Sequence, residues 1–451
     1  MLADILPAKQ IKTDADSLAI WGKDWTNGFT VAPSAIVFPQ SNEQVVDIVR
    51  YAIQAGLRLV PSGGRTGLSG GAVASHGEVV VSFDRMDSIL DFNAEDRLVT
   101  CQAGVVTQVL QGFATDNGLF YPVDFASAGS SQIGGNVATN AGGIKVIRYG
   151  LTREWVAGLR AVTGAGAFIN CNAGLVKNAT GYDLRHLLVG SEGTLGLITE
   201  VDIRLAAAAE PQVVMVLGVP QVIDLLNVLN AFNSRVTLSA FEFFSDLALD
   251  KVRSHRDLAA PLAQKVPFYA LVEFDASAAE EATAAFEACF AEGWVVDAVA
   301  SQSEAQAQAL WQLREGISES IAPFTPYKND LSVCVHEVPE FLADVDRYVA
   351  DSYPDFEVCW YGHIGDGNLH LNILRPDHLS VEEFLHLGHA MSPKIFELVQ
   401  ARGGSISAEH GVGLLKRDFL GYTRSEDEID LMRGLKQLFD PHQILNPGKL
   451  L

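Results

Sequence analysis

Three glycine-dense segments, residues 62–71, 129–143 and 190–196, punctuate the first 208 residues of this chain. Between them run short β-branched stretches, Ile36-Val37-Phe38, Arg58-Leu59-Val60 and Val79-Val80-Val81-Ser82-Phe83, and one clear helical pattern over Asn42–Ala55. That alternation predicts an α+β region whose loops carry the glycines. Glycine lets a backbone approach an anion and turn successive N–H groups inward, so three such loops suggest a long, phosphate-bearing ligand held by main-chain amides. The first loop, Pro61-Ser62-Gly63-Gly64-Arg65-Thr66-Gly67-Leu68-Ser69-Gly70-Gly71, is not a Rossmann fingerprint, because no Gly-x-Gly-x-x-Gly follows a strand and opens a helix. It is not a Walker loop either, since no Gly-Lys is followed by Ser or Thr anywhere in the chain. Gly67-Leu68-Ser69-Gly70-Gly71 does match the Gly-x-Ser-x-Gly of a serine hydrolase. That alternative needs a helix directly after the serine, and here Ala72–Gly77 leads into a strand at Val79.

After Leu205 an alanine-rich run and Pro211 mark a boundary. Beyond it a strand over Val213–Leu217, a helix over Val222–Phe232 and a strand over Leu238–Phe244 are followed by a second set: strand Phe268–Phe274, helix Ser277–Phe290, strand Trp294–Val299. Two strand-helix-strand units predict a ferredoxin-like antiparallel sheet carrying helices on one face. Near the end Ser425-Glu426-Asp427-Glu428 reads as a capping box. The helix it opens places Ile429, Met432, Leu435 and Phe439 on one face, stops at Asp440-Pro441 and leaves an irregular tail, Ile444–Lys449.

Chain length and charge narrow the function classes. A chain of 451 residues accommodates two or three domains, and its net charge of −23 repels nucleic-acid phosphates and anionic membrane surfaces. No nucleic-acid partner is expected, and an anionic substrate would have to be met by local cations. The cysteines, Cys101, Cys171, Cys289, Cys334 and Cys359, are odd in number and scattered, with no Cys-x-x-Cys. They read as reduced thiols in a cytoplasmic protein without iron-sulfur clusters. The N-terminus has no signal-peptide character. The most apolar stretch, Val213–Phe232, is broken by Pro220, Gln221, Asp224, Asn227 and Asn230, too polar for a spanning helix.

The second half carries a different chemistry. Tyr361-Gly362-His363-Ile364-Gly365-Asp366-Gly367-Asn368-Leu369-His370-Leu371-Asn372 reads as a strand, a turn and a second strand, and Ser407-Ala408-Glu409-His410-Gly411 follows later. A turn at Gly365–Asn368 could swing His363 back toward His370, with His370 and Asn372 on one face. Two imidazoles and a carboxylate make a three-ligand set for a catalytic divalent metal with an open position, and the remaining residue is available as a base. Such a set suits zinc and tolerates manganese, cobalt or iron. The near-match His336-Glu337-Val338-Pro339-Glu340 lacks the second histidine of a zincin motif and holds a proline where a helix is needed.

Taken together, Pro61–Gly71, Gly134-Gly135-Asn136-Val137-Ala138-Thr139-Asn140-Ala141-Gly142-Gly143 and Gly190-Ser191-Glu192-Gly193-Thr194-Leu195-Gly196 resemble the FAD-binding loops of vanillyl-alcohol-oxidase (PCMH-type) flavoproteins. The histidine segments and the tail Asn446-Pro447-Gly448-Lys449 resemble the D-2-hydroxyacid dehydrogenase branch of that superfamily. The resemblance covers nearly the whole chain. It implies a PCMH-type FAD-binding domain (1–208), a ferredoxin-like cap domain for substrate and metal (209–405) and a C-terminal helical segment (406–451) that returns to the first domain. Arg65 and Thr66 stand where some members attach the flavin through histidine, so the FAD is expected to be noncovalent. Pro61, Ser62, Gly63, Gly64, Arg65, Thr66, Gly67 and Leu68 would wrap its pyrophosphate. Gly129, Ser130, Ile133, Gly134, Asn136, Thr139, Asn140, Gly142, Gly143, Glu192, Ile198 and Asn446 would complete the cofactor site.

The implied reaction oxidises an α-hydroxy acid to an α-keto acid, with hydride passing to flavin N5. His363, His370 and Glu409 would be the metal ligands, with zinc the first choice, and His410 would take the hydroxyl proton. Trp311–Ser318 and Pro326–Asp330 most resemble D-2-hydroxyglutarate dehydrogenases, in which an arginine, a hydroxyl residue and a lysine hold the substrate's carboxylates. Arg314, Ser318 and Lys328 fit those roles, with Ser318 where threonine is familiar, and Asn372 and His410 join the substrate set. A D-lactate dehydrogenase or the FAD subunit of a glycolate oxidase is the alternative, although neither substrate requires a cation at the far end of its pocket. With no nicotinamide fingerprint and no cysteine cluster, electrons are expected to leave to an external acceptor such as an electron-transfer flavoprotein or a quinone. A homodimer is compatible with the reading.

Overall fold

The computed structural model describes residues 2–451. They group into two compact units: the chain up to Gly143 with Gly150–Ala209 and Glu409–Leu451, and Ile144–Tyr149 with Glu210–Ala408.

In the first unit, strands Ala35–Val37, Val79–Ser82 and Leu59–Ser62 lie parallel in that order, with the short strand Ile11–Lys12 antiparallel at the edge. The helix Asn42–Ala55 forms as its sequence predicts. Ser41 accepts the Gln44 N–H as N-cap, Val45, Ile48, Val49 and Ala52 make the buried stripe, and Gly56 ends the helix at φ +65°. A second, antiparallel sheet runs Ile89–Asn93, Leu98–Gln102, Gly196–Arg204, Val156–Thr163, Phe168–Cys171. The C-terminal helix spans Glu426–Phe439 with the Ser425–Glu428 capping box in place. The tail after it is less irregular than its composition suggests. The buried Asp440 carboxylate accepts the N–H groups of Ile444 and Leu445, and Leu445 and Asn446 then run along Leu59 in a parallel bridge.

The second unit is built on seven antiparallel strands: β1 (Gln212–Val219), β2 (Leu238–Ser245), β3 (Phe268–Asp275), β4 (Asp297–Ala300), β5 (Tyr327–Ser332), β6 (Glu357–His363) and β7 (Asn368–Leu374). Their order is β4-β1-β3-β2-β6-β7-β5. The two strand-helix-strand units contribute the first four, and β5 to β7 extend the sheet beyond the ferredoxin-like part. The last strand of the second repeat begins at Asp297 rather than Trp294. Gly293 at φ +76° and the Trp294 N–H, bonded to the Cys289 carbonyl, close the preceding helix across those residues. Residues 144–149 join this unit because Arg148 makes a two-pronged bond to Asp275 (2.7 and 2.9 Å) and Lys145 reaches Glu273 (3.1 Å). Among the described residues no helix is long and apolar enough to cross a membrane.

Candidate functional site

The first unit contains a cleft enclosing about 930 Å³ of empty space, open solvent included. Eight glycines, Gly63, Gly64, Gly67, Gly71, Gly134, Gly135, Gly193 and Gly196, line it. They serve two purposes. A Cβ on Gly64 would stand 2.1 Å from the Ser130 carbonyl, so this glycine lets two loops touch. A Cβ on Gly135 would meet nothing within 4 Å and would project into space that a ligand could use. The same cleft exposes the expected Pro61, Arg65, Thr66, Asn136, Thr139, Glu192, Ile198 and His410. It also includes Ser69 of the first glycine loop and Gln132 of the second, together with Asp24 and Phe83, which nothing in their local sequence distinguished.

Other expected cofactor residues serve the frame around the cleft. Ile133 is wholly buried in the hydrophobic core, while Ser62 lies buried at the end of its strand. Leu68 is exposed. Asn446 gives its amide to the carbonyls of Gly71 (2.9 Å) and Glu192 (2.7 Å), fastening the tail to two loops. The Glu192 carboxylate accepts the N–H groups of Val412 (2.7 Å) and Gly413 (2.8 Å), and burial raises its pKa despite those amides. Glu409 accepts the Gly143 N–H at 3.1 Å. Arg65, at φ +60°, has its guanidinium on Asp84 (3.2 Å), which also accepts Gln132 (2.9 Å). With that cation already paired, backbone N–H groups suit a phosphate-bearing ligand here, and the glycine walls fit FAD on this ground. The Gly67–Gly71 segment runs into turns and then the strand at Val79, with no helix after Ser69, so the hydrolase alternative lacks its elbow.

The second unit gathers charged side chains on one face of its sheet. Strands β6 and β7 form a hairpin in which His363 pairs with Asn368 and Tyr361 with His370. His363 and His370 are therefore diagonal neighbours on one face, their ring centroids 5.2 Å apart. Each has a buried carboxylate alongside: Glu242 Oε1 lies 2.8 Å from His363 Nδ1, and Asp330 Oδ1 lies 3.8 Å from His370 Nδ1. At His363 the carboxylate takes the Nδ1 hydrogen bond and leaves Nε2 as the ligating nitrogen, the arrangement that metal-ligating histidines use; Asp330 stands beyond hydrogen-bond reach of His370. The two neighbouring rings fit a divalent metal. Glu409 and His410 belong to the first unit.

The expected substrate residues of this unit also lie close to one another. Arg314, near the end of the helix Glu304–Glu315, places its guanidinium 4.7 Å from the Tyr361 ring centre. Its Nη2 is 2.8 Å from Glu242 Oε2, yet the two atoms are misaligned for a hydrogen bond, and Arg314 Nε also lacks a partner of proper geometry. A guanidinium buried this deeply with bonding capacity in hand suits a carboxylate ligand. Lys328 Nζ lies 3.0 Å from Ser318 Oγ, and Lys328 pairs in register with Asn372. Surrounding protein lowers the Lys328 pKa, and burial raises that of Tyr361 against the lowering pull of Arg314. Glu242 was not singled out by the sequence reading, although its signal is there: one acid inside the apolar run Leu238-Ser239-Ala240-Phe241-Glu242-Phe243-Phe244.

Comparison with known proteins identifies the family. Residues 33–172 match the FAD binding domain family, and residues 208–450 match the C-terminal domain of FAD linked oxidases. Across the full chain, identity is 57% to the D-2-hydroxyglutarate dehydrogenase of Stutzerimonas stutzeri, covering 97% of that protein. It is 52% to that of Xanthomonas citri (96% covered) and 37% to the mitochondrial enzyme of Bos taurus (82% covered). Among solved structures, p-cresol methylhydroxylase with substrate bound is similar in fold at TM-score 0.76 and 14% identity, covering 100% of this chain and 95% of that one. Alkyldihydroxyacetonephosphate synthase is similar at TM-score 0.75 and 17% identity, covering 99% and 84%. A glycine-walled cleft in one unit, a carboxylate-backed histidine pair in the other and full-length identity lead to one conclusion: the chain belongs to the FAD linked oxidases, in the branch that contains the D-2-hydroxyglutarate dehydrogenases.

Proposed function

We propose that the chain oxidises D-2-hydroxyglutarate to 2-oxoglutarate using FAD and one divalent metal, zinc by preference, and passes the electrons to an external acceptor such as an electron-transfer flavoprotein or a quinone. The observation that carries this reading is the 57% identity, over all of this chain, to a protein of that activity. Bound FAD supplies a hydride acceptor at flavin N5. A divalent ion supplies Lewis acidity toward the substrate hydroxyl and one carboxylate. His363, His370 and Glu409 would hold that ion, with His363 kept in the ligating tautomer by Glu242. Arg314 and Lys328, with Ser318, would hold the substrate's charge in a chain of net charge −23, where the global field opposes a dianion. Asn372 would orient the substrate beside His370, and His410 would take the hydroxyl proton. The five free cysteines support a cytoplasmic setting.

The test is anaerobic mixing of purified, flavin-loaded protein with D-2-hydroxyglutarate, D-lactate and D-malate, following bleaching of the visible flavin band. Rapid bleaching by D-2-hydroxyglutarate, abolished by a chelator and restored by zinc, is the expected outcome. Bleaching by D-lactate alone would move the function to the lactate alternative.

A further inference from the structure

We propose that Glu242 is a positioning residue that fixes His363 and Arg314 with one carboxylate, so that the metal-ligating ring and the cation for the substrate's distal carboxylate are held in a set relation. The inference rests on the proposed function and deepens it. Glu242 lies on β2 opposite His363, since Phe243 pairs with Gly362 in the register of β2 and β6. Its side chain is 1% exposed, and its two oxygens are divided: Oε1 stands 2.8 Å from His363 Nδ1, Oε2 2.8 Å from Arg314 Nη2. Tyr361, two residues before His363 on the same strand, takes the Arg314 guanidinium against its ring at 4.7 Å. The guanidinium is thus confined from two sides.

An acid at this position needs a reason. A buried ion pair seldom stabilises a fold more than well-packed apolar side chains would. A carboxylate next to the residues that receive a dianion also weakens binding by direct repulsion. Both costs are offset if the carboxylate provides geometry: a hydrogen bond that sets the His363 tautomer, and an anchor that keeps a long arginine from swinging. Substrate length would then be read from the relation between the two partners of Glu242. D-malate, one methylene shorter than D-2-hydroxyglutarate, is the substrate that tests this reading.

The experiment uses the full-length flavoprotein as wild type, Glu242→Gln and Glu242→Asp. In one arm, metal-stripped protein is titrated with zinc against a competing chelator. In the other, KM and kcat for flavin reduction are measured with D-2-hydroxyglutarate and D-malate. Glu242→Gln is expected to weaken zinc binding by about 10- to 100-fold and to raise KM for D-2-hydroxyglutarate more than for D-malate, shrinking the preference between them. Glu242→Asp keeps the charge at a shorter reach and is expected to recover zinc affinity in part while the preference stays reduced. Unchanged zinc affinity and an unchanged preference in either variant that retains its flavin would overturn the proposal, even if thermal stability fell. If wild type is not reduced by D-2-hydroxyglutarate, the substrate half falls together with the proposed function, and the zinc arm alone decides whether Glu242 positions His363.

Discussion

The two units prepare for ligands by opposite means. The cleft of the first is walled by backbone, with eight glycines, and its one arginine is already paired with Asp84. The face of the second is walled by side chains: Arg314 and His363 share the buried Glu242, and His370 has Asp330 alongside. Backbone amides can hold a pyrophosphate wherever loops come close, without placing any side chain accurately. A site made of charged side chains requires every partner to be positioned, because an unpaired buried charge is costly. The first design therefore tolerates changes of side chain and resists any added Cβ at points of close approach, and the second behaves in the reverse way.

Substitutions can break this contrast in order of expected effect. His370→Ala should lower flavin reduction by more than about 100-fold and release the metal while the protein stays yellow; metal analysis beside the flavin spectrum checks it, and unchanged metal content would remove the site assignment. Arg314→Ala should weaken D-2-hydroxyglutarate by roughly 2–5 kcal/mol and D-lactate far less, measured as kcat/KM for each. Equal losses would mean that Arg314 serves the end common to both acids, or only the fold.

Lys449 sharpens the contrast from within the first unit, as a buried cation in the tail whose pKa burial depresses to about 8. Its charge is disfavoured in the folded state alone, so stability is reduced below that pH and rises as pH climbs toward the ordinary lysine value of about 10.4. Lys449→Met should abolish a rise of at most about 3 kcal/mol, seen by chemical denaturation of both proteins between neutral and alkaline pH. The smallest effects separate the two kinds of glycine. Gly64→Ala should cost the fold about 1–3 kcal/mol because its Cβ would meet the Ser130 carbonyl. Gly135→Ala should leave the flavin-free protein as stable as wild type and weaken only FAD retention. If both variants lose the same stability, the distinction between packing and cofactor-facing glycines fails.

Some of this architecture was legible before any coordinates. The helix Asn42–Ala55 has its cap, its buried stripe and its terminal glycine within one short stretch. The helix Glu426–Phe439 starts at the Ser425 capping box, and a turn one residue earlier than expected, over 364–367, makes the hairpin that brings His363 and His370 together. The glycine loops were legible as FAD-binding loops through their resemblance to a known family, which the match of residues 33–172 to the FAD binding domain family bears out. Each of these signals acts within a helical turn or across a single tight turn, where neighbours in sequence are neighbours in space.

What only the tertiary structure decided lies in the pairings between distant segments. Glu242 and His363 are 121 residues apart, and nothing local to either predicts that β2 and β6 adjoin in the register that places one opposite the other. Leu59 meets Leu445 by the same kind of long-range pairing, and residues 144–149 join the second unit through the carboxylates that Glu273 and Asp275 present to Lys145 and Arg148, with Ile144 packed against that unit's core. Strand order and register minimise the free energy of a whole sheet, and a shift of one residue would turn Glu242 to the opposite face. The sequence by itself therefore determined the loops and the caps, and the assembled sheet determined which acid stands behind which histidine.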